Sequence, residues 1–230
     1  MNTHVHYRLE NGAAILQLNN GKVNALSPAV ITALNQALDQ AEQDKAVVVL
    51  TGQPGMLSGG YDLKVMMAGP QQALDLVASG SALTRRMLAH PFPLIVACSG
   101  HAVAKGAFLL LAADYRIAVD GEFRIGLNEV QIGMTMHQAG IALARDRLSP
   151  ACYQRAVINA EMFSPQAACA AGFVDKVVSA DALMPTALAV AGQMQQLNMR
   201  AHRQTKLRVR AALLAELDQA IQQDLQHSFD

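Results

Sequence analysis

The sequence predicts an α/β fold in which short buried strands alternate with helices. The runs AVVVL (residues 46–50) and PLIVACSG (93–100) are typical of strands that are buried on both faces of a parallel sheet. Each run is followed by a glycine-containing loop and then by a helical pattern, and this alternation continues to about residue 125. From there to the end the chain is mostly helical. We therefore expect a sheet covered by helices, with a helical C-terminal part.

The chain begins with a predicted hairpin and an amphipathic helix. The runs VHYRL and AAILQL flank Asn11 and Gly12, a pair that favours the positive φ angles of a tight hairpin turn. The first helix is predicted to have Ser27 as its N-cap and Pro28 at its first position. Its apolar residues recur at positions 30, 31, 34, 38 and 41, so one face of the helix packs on the sheet.

The later elements follow from the same signals. Serine-proline pairs at 149–150 and 164–165 indicate two further helix starts, and FVDKVV (173–178) indicates one late strand. Residues 181–230 are predicted to form two helices. We find no internal repeat, low-complexity tract or linker in the sequence. We therefore expect a single compact unit with a core over 1–180 and a helical region over 181–230.

Composition excludes several classes of function. The 230 residues are 52% hydrophobic and 16% charged, enough for one large core. Lys plus Arg equals Asp plus Glu at 18 each, so no broad basic surface is available for nucleic acid. The three cysteines lack CxxC or metal-like spacing, which indicates reduced thiols in a cytoplasm. No basic head with an apolar run and no membrane-length apolar stretch is present, so we expect no membrane association.

Two glycine-containing loops are candidates for binding an anion. The first, TGQPGMLSGGYDLKVMM, carries four glycines that leave backbone N–H groups uncovered, although it could also be a flexible connection. The second, CSGHAVAKGAFLLL, also joins a strand to a helix. The carboxyl ends of parallel strands lie at one edge of a sheet, where ligands bind. Two convergent N–H groups suit a developing enolate oxygen, and such a donor is worth about 3 kcal/mol.

The stretch FRIGLNEVQIGM places one carboxylate, Glu129, among mostly apolar neighbours. A carboxylate that loses its hydration has a raised pKa and becomes a usable base near neutral pH. Glu129 could instead be a capping or ion-paired residue at a helix start. His137 lies eight residues later and could line the same pocket or be a structural histidine. No HxxxH or His/Cys cluster predicts a metal. Several methionines, at positions 56, 66, 67, 134 and 136, would suit an acyl-chain pocket.

Taken together, these segments resemble the crotonase superfamily, the enoyl-CoA hydratase/isomerase family. The motifs occur in the family's order between residues 5 and 207: KVNALS, LSGGYDLKVM, SGHAVAKGAFLLLAADYRIA, FRIGLNEVQIGM and SPQAACAAGFVDKVV. The resemblance implies a ββα spiral fold with a helical C-terminal trimerisation region. It therefore also implies a homotrimer or a dimer of trimers.

The resemblance implies three catalytic positions. The two oxyanion N–H donors fall on Tyr61 and on Lys105, where the family usually has glycine, so a lysine side chain would add bulk and positive charge beside the thioester. Hydratases of the family use two glutamates, and the corresponding positions here are Phe108 and Glu129. A single base suffices to move a double bond by shuttling one proton. The segments DYRI, IGLNEVQIG and HRQTK also resemble Δ3,Δ2-enoyl-CoA isomerases, so isomerisation is favoured.

The resemblance also implies where an acyl-CoA would bind. Lys22, Lys64 and Lys206 would lie near its phosphates, and Phe108 would exclude water. The full set of implied substrate- and CoA-binding residues is Lys22, Val23, Asn24, Ala25, Gly59, Gly60, Asp62, Leu63, Lys64, Gly106, Phe108, His137 and Lys206. Coenzyme A is part of the substrate, so no separate cofactor is expected. Two alternatives stay open: a hydratase that uses Glu129 with His137, and a CoA-binding relative that has lost turnover.

Overall fold

The computed structural model describes residues 4–226, which form two sheets and their covering helices. The strands are β1 (Val5–Glu10), β2 (Ala13–Leu18), β3 (Val47–Thr51), β4 (Gly55–Ser58), β5 (Leu94–Cys98), β6 (Gly100–Val103), β7 (Tyr115–Val119), β8 (Ile125–Gly126), β9 (Met162–Phe163) and β10 (Lys176–Val178). The helices are α1 (Pro28–Gln43), α2 (Leu63–Met66), α3 (Pro70–Ala89), α4 (Lys105–Leu111), α5 (Gln138–Arg147), α6 (Pro150–Val157), α7 (Pro165–Ala171), α8 (Leu183–Met194), α9 (Met199–Val209) and α10 (Ala211–Asp224), with a 3₁₀ turn at Val130–Ile132.

The two sheets are built from three consecutive ββα units. In each unit the first strand (β3, β5 or β7) joins a six-stranded sheet of order β1-β2-β3-β5-β7-β10. The second strand (β4, β6 or β8) joins a four-stranded sheet of order β4-β6-β8-β9. Pairing is parallel except for β1 with β2 and β8 with β9. This repeated winding confirms the α/β class and the expected ββα spiral.

Local sequence signals account for the first elements. Asn11 and Gly12 have φ angles of 49° and 76°, which confirms the predicted hairpin turn between β1 and β2. The Ser27 hydroxyl accepts a hydrogen bond from the backbone N–H of Val30 at 3.3 Å, and Pro28 opens α1. The apolar face of α1 is buried, as its periodicity predicted. These signals depend on neighbours in sequence, so they are readable without the tertiary structure.

The four-stranded sheet depends on a close approach between two glycines. Gly55 in β4 pairs with Gly100 in β6. A Cβ added to Gly100 would lie 2.0 Å from the backbone carbon of Gly55, so no side chain fits between these strands. The contact holds the loops that follow β4 and β6 side by side. This second sheet therefore positions the two glycine-containing loops.

The C-terminal helices pack on the core. Leu183, Ala187 and Ala191 of α8 are buried against apolar residues of the six-stranded sheet. Helix α10 packs against α3 and α5. Three helices follow residue 181, not the two expected, because residues 195–198 and Arg210 interrupt the helical segment. Residues 227–230 of the predicted 181–230 region lie outside the described residues. Its role as an interface between copies stays a prediction.

Between residues 4 and 226, no helix combines the length and the apolar character that crossing a bilayer requires.

Candidate active site

The loops after β4 and β6 meet at Gly60 and Ala104. A Cβ built on Gly60 would lie 3.0 Å from the Cβ of Ala104 and 3.6 Å from the backbone nitrogen of Lys105. On its other side, Gly60 accepts a hydrogen bond from the backbone N–H of Leu26 at 2.8 Å. The N–H of Gly59 likewise donates to the carbonyl of Val23 at 2.8 Å. Backbone hydrogen bonds and contacts therefore hold together the loop after β4, the loop after β6 and the segment that contains Val23 and Leu26.

This arrangement brings two backbone amides to one place without hydrogen-bond partners. Within residues 4–226, neither the N–H of Tyr61 nor that of Lys105 donates a hydrogen bond to another protein group. Lys105 is the first residue of α4, where a helix leaves its N–H groups free. Ala104, just before it, has φ 51° and ψ −121°, a conformation that costs a non-glycine residue about 1–3 kcal/mol. This strained turn begins α4 beside Gly60.

Glu129 faces this place from the segment after β8. It lies immediately before the 3₁₀ turn at Val130–Ile132, and its carbonyl accepts a hydrogen bond from Met134 at 2.9 Å. The residue is only 7% exposed, and among the described residues its Oε2 atom has no hydrogen-bond partner. Burial raises the pKa of Glu129 to about 7, although its own backbone and the charge of Lys105 act in the opposite direction. Glu129 can therefore exchange a proton near neutral pH.

Tyr61, Ala104 and Glu129 line one cavity of about 130 Å³. Of the residues predicted from sequence, five line it: Gly59, Tyr61, Leu63, Glu129 and His137. Met66 and Met134, which we suggested for an acyl pocket, line it as well. Five more were missed: Val77, Ala104, Asn128, Ile132 and Thr135. Val77 could have been suspected from the apolar face of α3, whereas the loop residues carried no signal.

The cavity adjoins a second, larger groove of about 470 Å³. The two share Leu63, Met66, Ile132 and Met134, and Met67 adds to the wall of the groove. Leu63 and Ile132 are 59% and 51% exposed. An apolar path therefore runs from Glu129 toward the surface between α2, α3 and the 3₁₀ turn.

His137 and Phe108 form one wall in two layers. His137 lines the cavity, as predicted, and burial lowers the pKa of its imidazole to about 3, so the ring is neutral. Phe108 is 1% exposed and meets the His137 ring edge-on at 5.2 Å between centroids. Phe108 lies behind His137 and does not line the cavity. Its predicted substrate contact is therefore corrected to a supporting one.

The Lys105 side chain does not extend into the cavity. It is 1% exposed, and its Nζ lies 3.2 Å from the Thr84 hydroxyl of α3. The expectation of bulk and charge directly beside a thioester is corrected, because the stem of the side chain runs into the interior behind the cavity wall. Burial lowers the pKa of the Lys105 ammonium to about 7, while the charge of Glu129 raises it.

Lys206 also departs from its predicted position. Its ammonium donates to the carboxylate of Asp114 at 2.6 Å and to the carbonyls of His90 and Phe92 at 3.0 and 3.1 Å. The residue is 7% exposed. A buried ammonium with three acceptors cannot also reach a phosphate in the cavity. The predicted contact of Lys206 with the phosphates of CoA finds no support in this buried position and stays a prediction.

Other predicted binding residues hold the loops in place. The Asn24 amide is fully buried and donates to the carbonyls of Leu18, Met56 and Leu57. Asp62 caps α2 by accepting from the N–H of Lys64 at 2.9 Å. Both side chains hold the loops in place, and their contact with a ligand stays a prediction.

The remaining predicted positions fall into two groups. A Cβ on Gly106 would lie 2.2 Å from the carbonyl oxygen of Ser58, so glycine there lets α4 approach β4. Lys22, Val23 and Lys64 are exposed beside the loops, and Ala25 is partly buried. The exposed lysines thus remain candidates for contacting phosphate.

Known proteins are similar to this chain over most of its length. The sequence profile described as enoyl-CoA hydratase/isomerase matches residues 8–229. The structure of an enoyl-CoA hydratase/isomerase family protein from Pseudomonas syringae is 67% identical, with a TM-score of 0.97 over 97% of each chain. Mitochondrial enoyl-CoA delta isomerase 1 from Homo sapiens is 29% identical over 90% of this chain and 70% of its own length.

A relative named for the other reaction is equally similar. A putative enoyl-CoA hydratase from Thermus thermophilus is 31% identical over 91% of this chain and 83% of its own length. Proteins named for both reactions therefore occur at comparable identity. The profile spans nearly the whole chain, and the motifs, the spiral of ββα units and the paired amides agree with it. The chain belongs to the enoyl-CoA hydratase/isomerase family of the crotonase superfamily.

Proposed function

We propose that this protein is an enoyl-CoA isomerase that moves the double bond of a 3-enoyl-CoA to give the 2-trans-enoyl-CoA. The observation that carries the proposal is the single carboxylate in the cavity. Within the described part of the chain, Glu129 is the one acidic side chain that lines it. The position at which hydratases of the family carry a second glutamate is Phe108, which is buried behind His137. One base can move a proton from one carbon of the acyl chain to another, which is all that isomerisation requires.

The proposed reaction needs one proton and one oxyanion cradle. The thioester oxygen accepts hydrogen bonds from the N–H groups of Tyr61 and Lys105. The Glu129 carboxylate removes a proton from C2, and the electron pair of that C–H bond is delocalised onto the thioester oxygen as a dienolate. The protonated Glu129 then returns the same proton to C4, and the double bond is left between C2 and C3. Atoms and charge balance without any further reactant.

The pKa of Glu129, at about 7, suits both halves of this cycle. A base with that pKa is substantially ionised at neutral pH and is also strong enough to accept a carbon-bound proton next to a thioester. The neutral His137, with a pKa of about 3, supplies no charge that would compete. The shared walls of the cavity and the groove, including Met66 and Met134, would hold the acyl tail.

The test is isomerase activity of a Glu129→Gln variant on a purified 3-enoyl-CoA. We expect kcat to fall about 10³-fold, because the amide cannot take up the proton. Glu122→Gln is the matched control, since Glu122 is exposed and outside the cavity. Full activity of the Glu129 variant would refute the assignment.

Two further substrates separate the alternatives. Crotonyl-CoA reports hydration, and a wild-type enzyme that hydrates it faster than it isomerises a 3-enoyl-CoA is a hydratase. A saturated acyl-CoA in deuterium oxide reports any exchange at C2. Exchange requires a working base but no correct acyl chain. Its absence, together with tight acyl-CoA binding, would identify a relative that has lost turnover.

A further inference from the structure

The ammonium of Lys105 lies directly behind the wall of the cavity. Its Nζ is 5.9 Å from the ring centroid of Tyr61, which lines the cavity. It is also 5.9 Å from the ring of Phe108, which supports His137 from behind. The ammonium donates a hydrogen bond to the Thr84 hydroxyl at 3.2 Å. Lys105 thus contributes a backbone amide on the cavity side and, in its protonated form, a positive charge on the interior side.

Other titratable groups around Glu129 do not provide this charge. Tyr61 stays neutral because burial raises its pKa, and the nearby charges of Glu129 and Asp224 raise it further. His137, at the start of α5, is neutral with a pKa of about 3. Asp224, from α10, is an acid and so supplies no positive charge; its carboxylate accepts hydrogen bonds from the N–H groups of Gln138 and Ala139. Lys105 is therefore the basic group whose charge acts on Glu129.

We propose that Lys105 is a positioning residue whose buried ammonium keeps Glu129 ionised when an acyl chain displaces water from the cavity. The inference rests on the proposed role of Glu129 as the base. An apolar ligand removes the remaining hydration from the carboxylate and favours its protonated, inactive form. A positive charge behind the wall opposes that change. The negative charge then moves from Glu129 to the thioester oxygen, and the same ammonium offsets it there.

The experiment is a direct titration of Glu129 in the full-length protein without any ligand. Carboxyl ¹³C NMR with labelled glutamate follows the resonance, which the Glu129→Gln variant assigns by its disappearance. Lys105→Met removes the charge and keeps an unbranched side chain. Thr84→Val removes the hydrogen bond to Nζ and keeps the shape of the threonine. Lys45→Met is the matched control, because Lys45 is exposed at the end of α1. Thermal melting identifies the variants that fold.

We expect Lys105→Met to raise the pKa of Glu129 by about one unit or more, a tenfold or greater change in its ionisation constant. Thr84→Val should shift it in the same direction by less, and Lys45→Met should leave it unchanged. In the isomerase assay, the acid limb of kcat/KM should move to higher pH by the same amount. If Lys105 had only a structural role, its replacement would not move the acid limb of the pH profile.

The outcomes separate this inference from the proposed function. If the folded Lys105→Met protein titrates at the wild-type pH, the inference is overturned even when isomerase activity is present. If Lys105→Met does not fold, Thr84→Val decides alone, and an unchanged Glu129 titration in it overturns the inference. If the titration shifts but no 3-enoyl-CoA is isomerised by the wild type, Lys105 keeps its electrostatic effect and the proposed reaction is wrong.

Discussion

A Cβ built on Gly60 would lie 3.0 Å from the Cβ of Ala104, so the two loops that carry the unpartnered amides meet at a point with no room for another side chain. The φ angle of Gly60 is +105°, which side chains rarely adopt. The spacing of the Tyr61 and Lys105 amides therefore depends on glycine at position 60. A donor displaced by a fraction of an ångström loses much of its effect on a developing oxyanion.

We predict that Gly60→Ala lowers isomerase kcat about 100-fold and the free energy of unfolding by about 2 kcal/mol, because it adds both strain and a contact. The Gly60→Ala, Ala104→Gly double variant removes the contact with Cβ but not the strain at φ +105°. It should therefore recover part of the activity. Steady-state kinetics and urea unfolding measure both quantities. Wild-type kinetics for Gly60→Ala would mean that the loops are not held at this spacing.

The buried Glu129 should make stability depend on pH in a direction opposite to that of most acids. Its pKa is about 7 in the folded state and 4.5 in an unperturbed side chain, so between these values the folded state holds a proton that the unfolded state has lost. Stability therefore falls as pH rises from 4.5 to 7. The difference between these two pKa values corresponds to about 3 kcal/mol. Glu129→Gln should remove this loss.

The measurement is the difference in unfolding free energy between wild type and Glu129→Gln at several pH values, which cancels contributions from other groups. We expect the variant to gain about 3 kcal/mol relative to wild type between pH 4.5 and pH 7. Lys105 acts in the opposite sense above this range, since its lowered pKa makes stability rise between pH 7 and 10.5. A constant difference between the two proteins would show that Glu129 titrates normally.

Much of the fold was predictable because its signals are local. The turn at Asn11-Gly12 and the cap at Ser27 depend on residues within one or two positions of each other. The four-stranded sheet was not predictable, since β6 has four residues and β8 has two, too few for periodicity. The ββα unit occurs three times in the structure, but the sequence shows no repeat. The three units therefore share a backbone arrangement without sharing similar side chains.

The parts of the candidate site that are formed by backbone groups were predictable from the sequence. The positions of its side chains were less predictable. The motifs predicted that the amides of Tyr61 and Lys105 lie near Glu129. The structure brings Tyr61, Ala104 and Glu129 to one cavity, because strand ends and glycines fix the backbone. The direction of the Lys105 side chain depends on Thr84, on a different helix. The burial of Lys206 depends on Asp114, 92 residues away. Such partners are set by packing and leave no trace in local sequence.

The neutral His137 should matter much less than Glu129. Its imidazole has a pKa of about 3, so it holds no second proton at neutral pH. We predict that His137→Gln lowers isomerase kcat by less than about tenfold, since general acid or base roles account for larger losses. The acid limb of the pH profile should stay in place. A loss as large as that of Glu129→Gln would make His137 a proton carrier and would favour the two-group hydratase reading.

Lys22, Lys64 and Lys206 were all predicted to lie near the phosphates of CoA. We expect their methionine variants to differ in whether they change stability or KM. Lys206→Met leaves the carboxylate of Asp114 buried with one cation fewer, although Arg210 still pairs with it at 2.8 Å. We expect about 3 kcal/mol less stability and an unchanged KM for acyl-CoA. Lys22→Met and Lys64→Met, at exposed positions, should instead raise KM and weaken its dependence on salt without altering stability. A raised KM in folded Lys206→Met would restore that residue to the binding site, because the buried ion pair alone cannot produce it.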